Sequence, residues 1–181
     1  MIINNEEFYK RGITYTIRSA VHADAKQLAQ LRLQIDGETE NLDREPGEAL
    51  MNEHDFEQLI KNDSESDNNL FLVAVIQGQM VGFSRCQGNK LKRLSHKVEF
   101  GVGVLKDYWG YGIGKKLLSK SIIWADSNNL KKMTLHVLET NKKAVTLYKS
   151  LGFEIEGVLK KDKRLSDGNY YHTIVMGRIY E

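Results

Sequence analysis

Apolar and polar positions alternate in blocks along the chain, and the period of the alternation changes from block to block. Tyr15 to Arg18 reads as a first strand, followed by Asp24 as the cap of a helix whose Leu28, Leu31 and Ile35 share one face. His54 to Lys61 predicts a second short helix, and a polar, turn-rich stretch, Asn62 to Asn69, follows it. Leu70 to Ile76 and Met80 to Cys86 are two strands around Gln77-Gly78-Gln79, a hairpin by composition. After a basic loop, Gly88 to Ser95, His96 opens a central strand that runs into the apolar stretch Val98 to Leu105. Ile113, Leu117, Leu118, Ile122 and Ala125 then mark one face of a helix from Gly112 to about Asn128, with Lys115, Lys116 and Lys120 on its wet side. Met133 to Leu138 reads as a buried strand. Asn141 caps a helix that turns Ala144, Tyr148 and Leu151 inward, and Gly152 before Phe153 is a left-handed stop. Strands at about Glu154 to Leu159 and Tyr170 to Ile179 pair across a loop containing Asp167-Gly168. The sum predicts an α/β fold of three layers, with helices flanking a central mixed, mostly antiparallel sheet. It is read as one domain over residues 1–181, with 1–12 a polar N-terminal extension.

The junction at Val98 to Leu118 carries the chemistry. A strand gives way to a turn, then to Gly110, Gly112 and Gly114 alternating with Tyr111 and Ile113, then to a helix. The first N–H groups of a helix have no partner inside it, and the helix dipole adds positive charge there. Glycine lets phosphate oxygens approach with no Cβ in the way. Dinucleotides and the diphosphate of coenzyme A both suit such a site. The dinucleotide fingerprint requires G-x-G-x-x-G, whereas this chain has G-x-G-x-G, although Glu139 follows as a possible ribose-binding acid.

Trp109-Gly110-Tyr111-Gly112-Ile113-Gly114 resembles motif A of the GNAT superfamily of N-acetyltransferases, Q/R-x-x-G-x-G/A, with Trp109 standing where the family has Gln or Arg. Asn141-Lys142-Lys143-Ala144-Val145-Thr146-Leu147-Tyr148-Lys149-Ser150-Leu151-Gly152-Phe153 is similar to the family's N-x-x-A-x-x-L-Y-x-x-x-G-F segment at every fixed position. The resemblance implies a sheet of about seven strands and acetyl-CoA as cosubstrate. It implies that backbone amides of Trp109, Gly110, Tyr111, Gly112, Ile113, Gly114 and Lys115 hold the diphosphate, and that the pantetheine arm pairs with the edge of Val102 to Val104. Asn141, Lys143 and Tyr148 would complete the cofactor contacts, with Lys142 and Lys143 toward the adenosine phosphates. The Val104 amide would stabilise the oxyanion, and Tyr148 would be the general acid toward the departing thiolate. Glu99 is the first choice of base for the ammonium of the acceptor, with His96, Glu38, Glu40 and bulk water as the others. Gly101 and Gly103 within a strand fit a close backbone approach.

Composition narrows this picture without changing it. The 181 residues suffice for one core, and the net charge of +2, from 26 basic residues spread along the chain, gives no sign of nucleic-acid binding. The single cysteine, Cys86, excludes a disulfide framework, fits a reducing compartment, and reads as a small core residue more than as an acyl carrier. The polar start is no signal peptide, and the longest apolar run, Leu70 to Ile76, is too short to span a membrane, so a cytoplasmic location is expected. The five histidines, His22, His54, His96, His136 and His172, are widely separated, and no metal is expected. The acidic stretch Asp36 to Glu48 reads either as a solvated loop or as an overhang on the acceptor pocket that favours a cationic amine. The expected activity is direct acetyl transfer, in a ternary complex, to a small cationic amine or to a protein N-terminus. A non-catalytic acyl-CoA sensor and a nicotinamide-dependent oxidoreductase are the alternatives. The resemblance also makes a homodimer an expectation.

Overall fold

The computed structural model describes residues 2–181. In chain order the elements are β1 (Glu6–Lys10), β2 (Ile13–Ser19), a 3-10 turn at His22–Asp24, α1 (Ala25–Glu38), α2 (Glu53–Ser64), β3 (Leu70–Ile76), β4 (Gln79–Gly88), β5 (Lys97–Val104), a 3-10 turn at Lys106–Tyr108, α3 (Ile113–Ser127), β6 (Lys132–Leu138), α4 (Lys142–Ser150), β7 (Glu154–Arg164) and β8 (Tyr170–Ile179). The strands form one sheet of eight in the order β1-β2-β3-β4-β5-β6-β8-β7. Every neighbouring pair is antiparallel except β5 and β6.

The eighth strand is β1, which lies inside the stretch expected to be a polar extension. Its register with β2 runs from Glu6↔Ile17 to Lys10↔Ile13. As an edge strand it has one half-buried residue, Phe8, between exposed neighbours, so its sequence shows no alternation. The central β3 is the opposite case. Leu70 to Ala74 are all buried, because helices cover both faces of the sheet and no position faces water.

Successive residues of a strand face opposite sides, and β5 shows which helix owns which side. A Cβ on Gly103 would meet the Phe83 ring and Ile35 of α1, whereas the side chain of Val104 faces Gly114 of α3. Odd-numbered positions of β5 therefore look toward α1, and even-numbered ones toward α3. Local chemistry sets the ends of the elements. Gln77 and Gly78, at φ 48° and 81°, make the two-residue turn between β3 and β4. Asn52 accepts from the Asp55 N–H while Asp55 accepts from the Asn52 N–H, a reciprocal cap for α2. Asp24 departs from expectation. Its carboxylate takes the Val21 N–H and forks onto Arg18, so it caps the 3-10 turn and gives no side-chain bond to α1.

The feature that positions the site is the short contact between β5 and β6. They pair only at Lys97↔Lys132, Val98↔Met133 and Glu99↔Thr134. Beyond Glu99, β5 continues to Val104 while β6 is paired from Lys132 to Leu138 with β8 on its other side. The sheet opens there into a wedge.

Candidate active site

The wedge, the glycine loop and α4 enclose one open groove of about 1120 Å³. Its wall includes Glu99, Val102, Val104, Trp109, Gly110, Gly112, Ile113, Gly114, Lys115, Asn141, Lys143 and Tyr148; of the other residues expected at the site, Tyr111, Lys142 and the alternative bases His96, Glu38 and Glu40 do not line it. The Tyr111 ring packs against Tyr108, with 6.5 Å between centroids.

The main chain along β5 is oriented by its partner. Leu105 N–H donates to Val81 O at 2.9 Å. Residues of an antiparallel ladder alternate between facing the partner strand and facing away, so Val102 and Val104 turn their N–H and C=O groups away from β4 and into the wedge. An extended amide-bearing chain is the shape that complements such an edge.

The glycine loop is built for close approach. Gly110 and Gly112 hold φ of 85° and 79°, a region that favours glycine. Gly112 O accepts the first helical bond of α3, from Lys116 N–H at 2.9 Å. The amides of Ile113, Gly114 and Lys115 thus stand in the first turn, where an α-helix supplies no acceptor. Trp109 is a correction. Its N–H donates to Lys106 O at 3.1 Å, so that amide is tied up in the 3-10 turn. Its indole N–H donates to Val104 O at 2.8 Å and pins the loop to the end of β5. Trp109 thus acts as a brace.

On α4, Asn141 accepts from the Ala144 N–H at 3.2 Å and caps the helix. Tyr148 is buried beside Phe153, with 6.0 Å between rings, and burial pushes its phenol up to about 12. The phenol is therefore neutral and a donor throughout the physiological range.

The floor toward α1 is formed by residues that face each other across β4 and β5: Phe83 opposite Gly103, Arg85 opposite Gly101, Gln87 opposite Glu99. Two partners there were not foreseen. Glu99 lies 3.3 Å from His136 Nδ1, a β6 residue 37 positions away. The Arg85 guanidinium is gripped by buried Asp63 of α2 at 2.6 and 2.9 Å, and its Nη1 donates to Gln87 at 2.6 Å. A histidine and an arginine within strands were the available signals, but neither partner is near in sequence. Glu99 is five residues from Val104, about 17 Å along a strand. A proton moves between an amine beside Val104 and Glu99 only through water.

Other expected groups are otherwise engaged. Glu38 accepts the Lys106 N–H and Glu40 the Ser166 N–H, each at 2.7 Å, and neither lines the groove. Asp36 is buried and forked by Arg32, Asp43 pairs with Lys163, and Glu48 takes the Glu45 N–H. The acidic stretch does overhang the groove, through Thr39 and 41–44, but its carboxylates are largely spoken for. Cys86 is fully buried on the α3 side of the sheet, and desolvation raises its thiol to about 12, which leaves it without nucleophilic character.

An open strand edge beside a glycine loop at a helix start, with a phenol on the facing helix, is the arrangement of an acyltransferase site. Residues 36–153 match the model of the acetyltransferase (GNAT) family, and the chain belongs to that family. It is 33% identical over 109 residues to the L-amino acid N-acetyltransferase of Escherichia coli, a match covering 60% of this chain and 67% of that protein. The structure of a GNAT-family acetyltransferase from Streptococcus pneumoniae superposes with a TM-score of 0.89 at 28% identity, over 92% of this chain and 99% of that one. An acetyltransferase from Salmonella typhimurium, solved with its cofactor acetyl-CoA, superposes with a TM-score of 0.81 at 20% identity, over 92% of this chain and 94% of that one. The protein is an N-acetyltransferase of this family. Among the described residues no helix is long and apolar enough to cross a membrane.

Proposed function

We propose that the acceptor is a small amine that also carries a carboxylate, an α-amino acid or a close analogue, acetylated directly in a ternary complex. The observation that carries this reading is Arg85, held on the floor of the groove by Asp63 with only three of its donors engaged. An arginine has five N–H donors in a fixed fork, and the remaining two match a carboxylate. The charge balance of the groove agrees. Of the cations on this floor, Arg32, Arg85 and Lys163 are matched by Asp36, Asp63 and Asp43, and Arg44 and Lys97 then outnumber the one remaining carboxylate, Glu99. Such a lining disfavours a polycation and suits an anionic group beside the reacting amine. The name of the Escherichia coli relative points the same way.

In this reading the pantetheine arm lies along Val102 and Val104, and the phosphates sit on the amides of Gly110 to Lys115. The neutral amine attacks the thioester carbonyl, the C–N bond forms, and the oxyanion takes the Val104 N–H. The ammonium proton leaves through water to the Glu99–His136 pair. The C–S bond then breaks, with the Tyr148 hydroxyl donating to the sulfur. Burial of Cys86, the one cysteine of the chain, supports direct transfer over an acyl-enzyme.

The test is free-thiol release across α-amino acids, their decarboxylated amines, polyamines and peptides with free N-termini. A hydrogen-bonded carboxylate is worth roughly ten- to hundredfold, so amino acids should exceed their decarboxylated counterparts by about that in kcat/KM. Arg85→Gln should erase most of the difference. Equal turnover of the decarboxylated amine, or preference for a polyamine or peptide, refutes the proposed acceptor.

A further inference from the structure

β1 lies alongside α3 with a matching step. Side chains on one face of a strand recur every two residues, about 6.7 Å, and on one face of a helix every four, about 6 Å. The two rows meet one for one. Glu6 pairs with Lys120, and Lys116 Nζ stands 4.6 Å from the centre of the Phe8 ring. The stem of Lys10 then lies over Gly112, with Nζ 3.0 Å and Cδ 3.3 Å from where a Cβ on that glycine would stand. The hairpin turn adds Arg11, at φ 51°, whose Nη1 is 3.5 Å from the corresponding point on Gly110. The strand works as a ruler that delivers two cations to two glycines of the loop.

Charge gives this placement its meaning. Both side chains are exposed, and among the described residues neither pairs with a carboxylate. A cation at the start of a helix faces the positive end of the dipole, which is unfavourable unless an anion comes between them. Lys10 and Arg11 also stand beside the position where Trp109 replaces the family's Gln or Arg and turns its side chain to Val104. We infer that Lys10 and Arg11 bind the phosphate groups of acetyl-CoA, so that an N-terminal hairpin four strands away in the sheet supplies the side-chain cations that the motif itself lacks. The inference rests on the cofactor's phosphates being seated at the glycine loop.

The experiment compares acetyl-CoA with acetyl-pantetheine, which keeps the thioester and the arm and has no phosphate. It uses the full chain, Lys10→Met and Arg11→Asn, Asn being a residue that tolerates positive φ. Losing one charge-assisted contact to phosphate should raise KM for acetyl-CoA about tenfold at low salt with kcat unchanged, an effect that shrinks as salt is added. Turnover of acetyl-pantetheine should stay the same, which also shows that the variants are folded, and Lys10→Arg should restore KM. An unchanged KM for acetyl-CoA in both variants overturns the inference, as does an equal loss with the two thioesters, which would make β1 a structural support alone. A wild-type protein that binds coenzyme A no better than pantetheine would instead refute the seat of the phosphates on the glycine loop.

Discussion

Replacing Tyr148 by Phe removes one oxygen and keeps the ring against Phe153. The hydroxyl makes no hydrogen bond among the described residues, so stability should change by less than about 1 kcal/mol. Its effect on catalysis depends on what the phenol does for the sulfur. With its pKa pushed by burial to about 12, against ~8.5 for an ordinary thiol, complete transfer of the proton to a thiolate is about 5 kcal/mol uphill. Tyr148 is thus better described as a fixed hydrogen-bond donor to the departing sulfur than as an acid that ionises. A hydrogen bond to a charged group is worth ~1.5–3 kcal/mol, so Tyr148→Phe should lower kcat roughly 10- to 150-fold with KM for acetyl-CoA nearly unchanged. The sign of the raised pKa sets the pH profile. The donor is intact below pH 10 and is lost only as pH rises through about 12. Thiol release followed from pH 7 to 10.5 should show no alkaline fall that disappears in the variant. A variant within twofold of wild type, or a fall below pH 10 that Tyr148→Phe abolishes, refutes this reasoning.

Two glycines of β5 should separate space from function. A Cβ on Gly103 would stand 3.0 Å from the Phe83 ring and 3.3 Å from Ile35, so Gly103→Ala should lower Tm and cost ~1–3 kcal/mol in denaturant unfolding. A Cβ on Gly101 meets nothing within 4 Å, so Gly101→Ala should leave Tm within a degree or two and still reduce turnover of the acceptor, because the methyl projects onto the floor beside Arg85. Cys86→Ala should keep activity at the cost of ~1 kcal/mol of stability, and the native wild-type thiol should resist a disulfide reagent until the chain unfolds. Loss of activity in Cys86→Ala at full stability would reopen an acyl-enzyme route.

The parts of this protein that were readable in its sequence are those whose cause is local. Gly110 and Gly112 announce a turn because few other residues hold φ near 80°, and Asn141 announces a helix because its side chain bonds three residues on. The open edge at Val102 and Val104 came through resemblance, and the structure supplies its reason in the three-pair contact of β5 with β6. What stayed hidden depends on partners far along the chain. Phe8 gives β1 one inward residue, too few for a pattern, until Lys116 and Lys120 provide the other side. The acids of 36–48 look available for a cationic substrate until Lys163 and the amides of Lys106 and Ser166 are found against them. Arg85 and Glu99 likewise acquire meaning only with Asp63 and His136.

The three-pair seam between β5 and β6 has a mechanical side. Five strands on one flank and three on the other share only His96 to Glu99 with Lys132 to Thr134 as main-chain stitching. Hydrogen bonds across a seam that short contribute little, so the joint between the flanks rests mainly on the side chains of the shared core. A thioester arm threaded into the gap would add rungs to the unfinished ladder and tighten the joint. The substrate would then serve briefly as a piece of the architecture.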